Sequence, residues 1–394
     1  MINTTAILGE MLKVSKPQRT FISELFNIMF CITGKYNFSN LSRYSSYCDR
    51  TFRRWYSTAF DFVLFNALLI CRLPIGKFII AIDTTVFGKS GKKTYGKGKF
   101  WSTIQNKPVN GIEVSSISLI HLGFRQAFNL CVKQTNGKQS GEDSRIDQCI
   151  AQLNSIAFWI KRFAVCYLVA DSFYAKKKFV NATKQLRLHI ISRLRNDANL
   201  RWLYQGHHTK RRGPKQKYAG KVFFNQFDLF RFITVYRDYN LYEAIVYSIT
   251  LKQTIKIVML RSVKKPNQYA LLFSTATKMP ALYLVQYYEA RFQIEFLFRD
   301  AKQHTGLSDC QSTKQERLDS HFNFSFAALN IAKIQILEQN LFDPDTIISI
   351  DNYKRLKSNE HWLNRIICKL DLDPDLIKFH PNFKELLFYG TLAA

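Results

Sequence analysis

The chain has 394 residues, 47% of them hydrophobic and only nine of them proline, which supports a sizeable folded core and excludes a disordered chain. Fifty-seven Lys and Arg against 29 Asp and Glu give a formal net charge of +28, a field that attracts polyanions such as nucleic acid or an anionic membrane surface. The apolar runs at 60–71 and 117–122 fall short of the roughly 18 residues that span a bilayer, so no membrane association is expected.

Residues 1–16 show no apolar segment after basic residues, so no secretory leader is expected; the expected location is cytoplasmic, associated with the nucleoid. Residues 1–75 read as a helical DNA-binding region with a turn-rich break near 33–40. Within it, 40–56 is a candidate helix-turn-helix: Asp49 is placed to cap the second helix, and Arg50, Arg53 and Arg54 crowd its first turns. An amphipathic helix with a solvated basic face accounts for the same residues equally well.

From residue 76 the texture changes. Lys77–Ile82 reads as a buried strand ending at Asp83, followed by a loop over 84–107 with six lysines and no acid. Strands are expected at 111–122 and 126–133 around a turn at Gly123. Ser140 and Asp143 resemble a capping box that opens a helix to about residue 158. The apolar run 164–170 ends at Asp171, a helix is expected from near Ala175, and a short strand at 189–193, so that 76–200 forms the first part of an α/β core. Residues 201–221 carry seven Lys and Arg, including Lys210, Arg211 and Arg212, with two His and no acid. Alternating runs at 230–236, 242–250, 255–261 and 269–274 make 201–278 a β-rich insertion, read as a small antiparallel sheet. Residues 279–340 are helical again and complete the core; 341–394 form a C-terminal region of no assigned role. Eight cysteines without a C-x-x-C pair read as buried, reduced thiols, not zinc ligands. Gly88-Lys89-Ser90 imitates the end of a P-loop, but Asp83 stands where that motif needs its first glycine.

A carboxylate directly ending a buried strand sits at a rim of the sheet, where open α/β sheets bind ligands. Asp83 and Asp171 both fit that description, and both also fit simple turn or cap residues. Tyr288, Arg291, Glu295 and Lys302 project from one expected helix within a stripe about 60° wide, beside a core face of Ala290, Ile294, Leu297, Phe298 and Ala301. Such a stripe offers a metal-binding carboxylate with two cations for phosphate; a solvated Arg–Glu pair is the plainer alternative.

The spacing Y-(2)-R-(3)-E-(6)-K, with Asp83-Thr84-Thr85 and Asp171-Ser172-Phe173-Tyr174 before it, resembles the bacterial insertion-sequence transposases of the DDE type. The basic stretch with Gly213-Pro214 after Ile191-Ser192-Arg193 is similar to that group too, and the resemblance covers about residues 40–335. It implies an α/β fold with an RNase H-like catalytic core, interrupted by the mostly antiparallel β insertion and preceded by the helical DNA-binding region. It implies cut-and-paste transposition, with Asp83, Asp171 and Glu295 holding two Mg²⁺ ions, for which Mn²⁺ substitutes. Arg291 and Lys302 would hold phosphates, Tyr288 would contact a phosphate, sugar or base, and Trp202 is a candidate for stacking on a displaced base, against ordinary packing. The implied partners are double-stranded DNA, as terminal inverted repeats and target, and a second copy of the chain on paired ends. A nuclease that never joins strands and a catalytically inactive DNA-binding regulator are the competing readings.

Overall fold

The computed structural model describes residues 4–102, 106–136, 144–206, 215–342 and 349–392. Ser140, Asp143, Lys210, Arg211, Arg212, Gly213 and Pro214 lie outside them. Five helices come first: α1 (Thr4–Glu10), α2 (Lys16–Cys31), α3 (Phe38–Arg43), α4 (Asp49–Trp55) and α5 (Phe62–Ile70). Strands β1 (Phe78–Gly88), β2 (Gly98–Ser102), β3 (Lys107–His121) and β4 (Gln126–Thr135) follow, then α6 (Arg145–Ser155), α7 (Ala157–Arg162), β5 (Tyr167–Ala170), α8 (Lys177–Gln185) and β6 (His189–Leu194). Next are β7 (Leu200–Leu203), β8 (Tyr218–Lys221), β9 (Arg231–Tyr236), β10 (Tyr239–Ser248), β11 (Gln253–Ser262) and β12 (Tyr269–Ser274). The chain ends in α9 (Ala281–Ala290), α10 (Phe292–His304), α11 (Gln315–Phe342), α12 (Ile350–Lys369), α13 (Pro374–Lys378) and α14 (Phe383–Leu387). None of the described helices is long and apolar enough to cross a membrane.

The five strands at the centre of the site run in the order β4-β3-β1-β5-β6, antiparallel from β4 to β1 and parallel from β1 to β6. The sheet does not stop there. β12 pairs antiparallel with β6, and β11, β10, β9, β7 and β8 continue the same sheet. The small antiparallel sheet expected for the insertion continues the core sheet, since β6 is otherwise an open edge whose backbone groups need partners.

Two apolar clusters cover the two faces, and the period-2 alternation of strands sorts residues between them. On β1, Ile80 and Ile82 join the cluster that holds α1, α2, α5, α6 and α8, whereas Ile79 and Ala81 join the cluster under α9 and α10. On β5, Leu168 and Ala170 face the first cluster and Val169 the second. Helix α11 contributes Phe324, Ala327 and Ile331 to one cluster and Phe322, Phe326 and Leu329 to the other, so its middle is buried on both sides and threads between them, with Ser325 and Asn330 buried as well. The N-terminal helices pack into the first cluster, with Phe26 stacked on Phe65 and edge-on to Phe324. The change at residue 76 is one of element type within a shared core.

Several local expectations need correction. β1 runs through Asp83 to Gly88, because Thr84 to Gly88 pair with Ser115 to Gly111 of β3; β2 occupies part of the expected loop. Asp49 does not cap α4: the cap is Cys48, which makes no side-chain cap bond, while Asp49 is the first helical residue and pairs with Arg53 at 3.2 Å. Ser144 caps α6 through the amide of Asp147. The helix of the Tyr–Arg–Glu–Lys stripe is pinched at Arg291, where the amides of Arg291 and Ile294 bond three residues back, not four. Of the eight free cysteines, Cys31, Cys131, Cys149 and Cys310 are buried, but Cys48, Cys71, Cys166 and Cys368 are exposed.

Candidate active site

The parallel pairing of β1 with β5 ends at Ile82 and Ala170, so Asp83 and Asp171 are the next residues in register on adjacent strands. By alternation both face the side of Ile79, Ala81 and Val169, the face that α10 covers. α10 docks there through Ile294, Leu297, Phe298 and Ala301, which turns Glu295 and Lys302 toward the strand ends. Asp83, Asp171 and Glu295 thus line one cleft of about 700 Å³ together with Thr84, Thr85, Trp101, Glu113, Arg145, Phe173, Arg299 and Lys302.

Arg291 is the buried centre of this arrangement. Its Nη1 donates to Asp83 Oδ2 at 3.2 Å and its Nη2 to Glu295 Oε1 at 2.6 Å, with 10% of the arginine side chain exposed. Asp83 also accepts the Thr84 amide at 2.8 Å, and Asp171 Oδ1 accepts the Phe173 amide at 2.9 Å. Ser192 of β6 donates to the Asp171 carbonyl at 2.7 Å, which ties this turn to the neighbouring strand. Lys302 Nζ donates to Thr85 Oγ1 at 2.7 Å, on the same face of β1 as Asp83.

Burial pushes the Asp83 carboxyl up to about 7; Arg291 and the Thr84 amide oppose the shift, while Asp171 and Glu295 add to it as like charges. Burial also raises Asp171, against the Phe173 amide and Arg291. Burial disfavours the Arg291 cation, but Asp83, Tyr288 and Glu295 outweigh it and raise its pKa. Burial lowers Lys302 and raises Tyr288. A group of oxygen-only carboxylates held at such cost matches the donor set of a hard divalent cation. As the side chains stand, no three His, Cys, Asp or Glu among the described residues converge closely enough to hold an ion, and Arg291 takes one oxygen from each of two carboxylates.

Tyr288 stands half-buried beside Arg291, whose guanidinium lies 5.7 Å from its ring centroid. Neither Tyr288 nor Arg291 is among the residues that line the cleft, and of the expected DNA contacts among the described residues Lys302 alone does so. Arg50, Arg53 and Arg54 are exposed on α4, Arg53 over the Phe38 ring at 5.5 Å and Arg54 over Trp55 at 5.3 Å. Trp202 packs edge-on against Phe230, at 5.2 Å between centroids, on the first apolar cluster. Trp101 of β2 does line the cleft and is 60% exposed.

Sequence reasoning missed Glu113 and Arg145. Glu113 lies on β3 opposite Val86, 2% exposed, and accepts from Thr135 Oγ1 at 2.5 Å and from Arg145 Nε at 2.8 Å; Arg145 Nη2 bonds its second oxygen. An acid inside the apolar run of β3 was a visible signal, since a buried charge needs a partner.

Residues 52–228, somewhat under half of the chain, match the sequence profile of a family described as DDE superfamily endonuclease. The match includes Asp83 and Asp171 and ends before Glu295. No curated protein matches the chain. Among solved structures, a piggyBac transposase synaptic complex with hairpin DNA, determined by cryo-EM, is similar at a TM-score of 0.44 and 12% identity, covering 97% of this chain and 80% of that one.

Proposed function

We propose that the chain is a DNA transposase with an RNase H-like core, cutting and joining DNA strands at a site formed by Asp83, Asp171 and Glu295. One observation carries the reading: two aspartates in register on adjacent parallel strands meet a glutamate from a helix docked over the same face. The strand order β4-β3-β1-β5-β6 and the DDE endonuclease match over 52–228 support it. The three carboxylates would hold Mg²⁺ or Mn²⁺, which when bound supplies an activated oxygen nucleophile and neutralises the leaving oxygen. Lys302 at the cleft wall, and Arg291 once metal has replaced its bonds to Asp83 and Glu295, would hold phosphate oxygens, and Tyr288 beside Arg291 would contact a phosphate, sugar or base. The basic surface binds duplex DNA, as inverted-repeat ends and as target, and paired ends call for two copies of the chain.

The test is cleavage of DNA carrying the terminal inverted repeats that flank the source gene, with Mg²⁺ or Mn²⁺. Asp83→Ala, Asp171→Ala and Glu295→Ala should each abolish cleavage while leaving DNA affinity within a few-fold. An Asp83→Ala protein that still cuts overturns the assignment. Joining of pre-cleaved ends to target DNA distinguishes a transposase from a nuclease of the same core.

A further inference from the structure

On the Asp171 side of the cleft stands Arg145, a cation that makes no hydrogen bond to the three carboxylates although its charge favours ionised Asp171. Arg145, the first residue of α6, grips Glu113 side-on through Nε and Nη2. That grip leaves Nη1 and the outer Nη2 hydrogen directed away from Glu113, so the guanidinium keeps donors for a further acceptor. Its carbon lies 5.0 Å from the centroid of the Phe173 ring, and Lys176 Nζ lies 4.1 Å from the same centroid. Phe173 is two residues from Asp171 and its amide holds that carboxylate. A single ring therefore gathers two cations next to one of the three carboxylates, with 36% of the Arg145 side chain exposed at the cleft wall.

Two like charges gathered on one ring repel unless an anion joins them. Glu113, from the buried side, and the more distant charge of Asp171 both act on Arg145 and leave Lys176 without a carboxylate bonded to it among the described residues. We propose that Arg145 and Lys176 form a second phosphodiester-binding site on the Asp171 wall, with Glu113 and Phe173 as positioning residues. It rests on the reading of the cleft as a DNA-processing site. It receives the strand phosphate on the side of the reacting bond away from Arg291 and Lys302. The guanidinium, fixed in place by Glu113, loses little freedom on binding, which is the advantage of arginine over lysine at such a position.

The experiment measures binding of an arbitrary-sequence fluorescent duplex by anisotropy, without divalent metal, across a salt series. Arg145→Ala and Lys176→Ala should each weaken affinity roughly fivefold to tenfold and flatten the plot of log K against log salt by about 0.9. Lys378→Ala, on exposed α13, should change neither. Glu113→Gln makes the protein more positive, so general electrostatics predicts tighter binding, whereas a lost positioning residue predicts weaker binding. The Glu113→Gln/Arg145→Gln pair restores normal affinity if Arg145 only neutralises Glu113, and stays weak if Arg145 holds phosphate. Lys176 is exposed, so its variant folds even where changes at Glu113 do not. Unchanged affinity and slope in both single alanine variants, or recovery in the double variant, overturns the proposal while leaving the carboxylate site intact. A wild-type chain that neither binds nor cuts DNA overturns the reading beneath it.

Discussion

At Asp83 a carboxylate is held where its ionised form is disfavoured, with Arg291 supplying the neighbouring positive charge. The folded chain keeps this proton up to about pH 7, while the unfolded chain releases it near pH 4. Between those limits the unfolded state binds fewer protons, so Asp83 lowers stability as pH rises from about 4 to about 7, and its penalty is constant above that. The Tm of metal-free wild type minus that of Asp83→Asn should therefore fall through this window and stay flat at higher pH. At pH 8 the Asn variant should be at least as stable as wild type, even though it loses the Arg291 contact. On the proposed metal site, Mg²⁺ or Mn²⁺ should raise the Tm of the wild type and leave that of the variant unchanged. A variant less stable than wild type at pH 8 would mean that the Arg291 ion pair outweighs desolvation.

At the scale of elements, the site depends on how α10 is seated. Leu297 is fully buried against the sheet, so Leu297→Ala should cost about 2–5 kcal/mol in denaturant unfolding, against little change for exposed Phe292→Ala. Alternation and apolar runs made most strands legible: 269–274 was read at its true ends, and β4, β6 and β11 within about two residues or so. Where polar residues form strands, the pattern failed. Thr84 and Thr85 look like a loop, yet they pair with β3, so Asp83 sits inside β1 and marks only the end of its parallel pairing. The stripe of Tyr288, Arg291, Glu295 and Lys302 was legible because Arg291 keeps helical dihedrals at the pinch, φ −53° and ψ −34°. The Glu113–Arg145 pair was hidden because the two lie 32 residues apart and only tertiary packing joins them. The union of the insertion with the core sheet is likewise long-range pairing, which local periodicity does not carry.

For the molecule as a whole, a charge of +28 should dominate encounter with DNA. Affinity for arbitrary duplex should fall steeply between 50 and 200 mM salt, by about 10³–10⁵ if six to ten phosphates are neutralised. A shallow dependence would assign the charge to solubility alone. Because α11 belongs to both apolar clusters, loosening one face disturbs the other, and near- and far-ultraviolet circular dichroism should report one coincident thermal transition. The β6–β12 seam has a different consequence. The chain leaves the core at Leu194 and returns at Leu271, and these two residues are direct partners across the seam. The strands between them are held by more than this seam: Val246 and Ile257 join the first apolar cluster, Leu241 and Val258 the second, and Tyr236 and Arg237 bond Glu289 of α9. Excising them would therefore strip buried apolar surface from both faces of the core, so only the exposed turns between the strands should tolerate insertion without loss of stability.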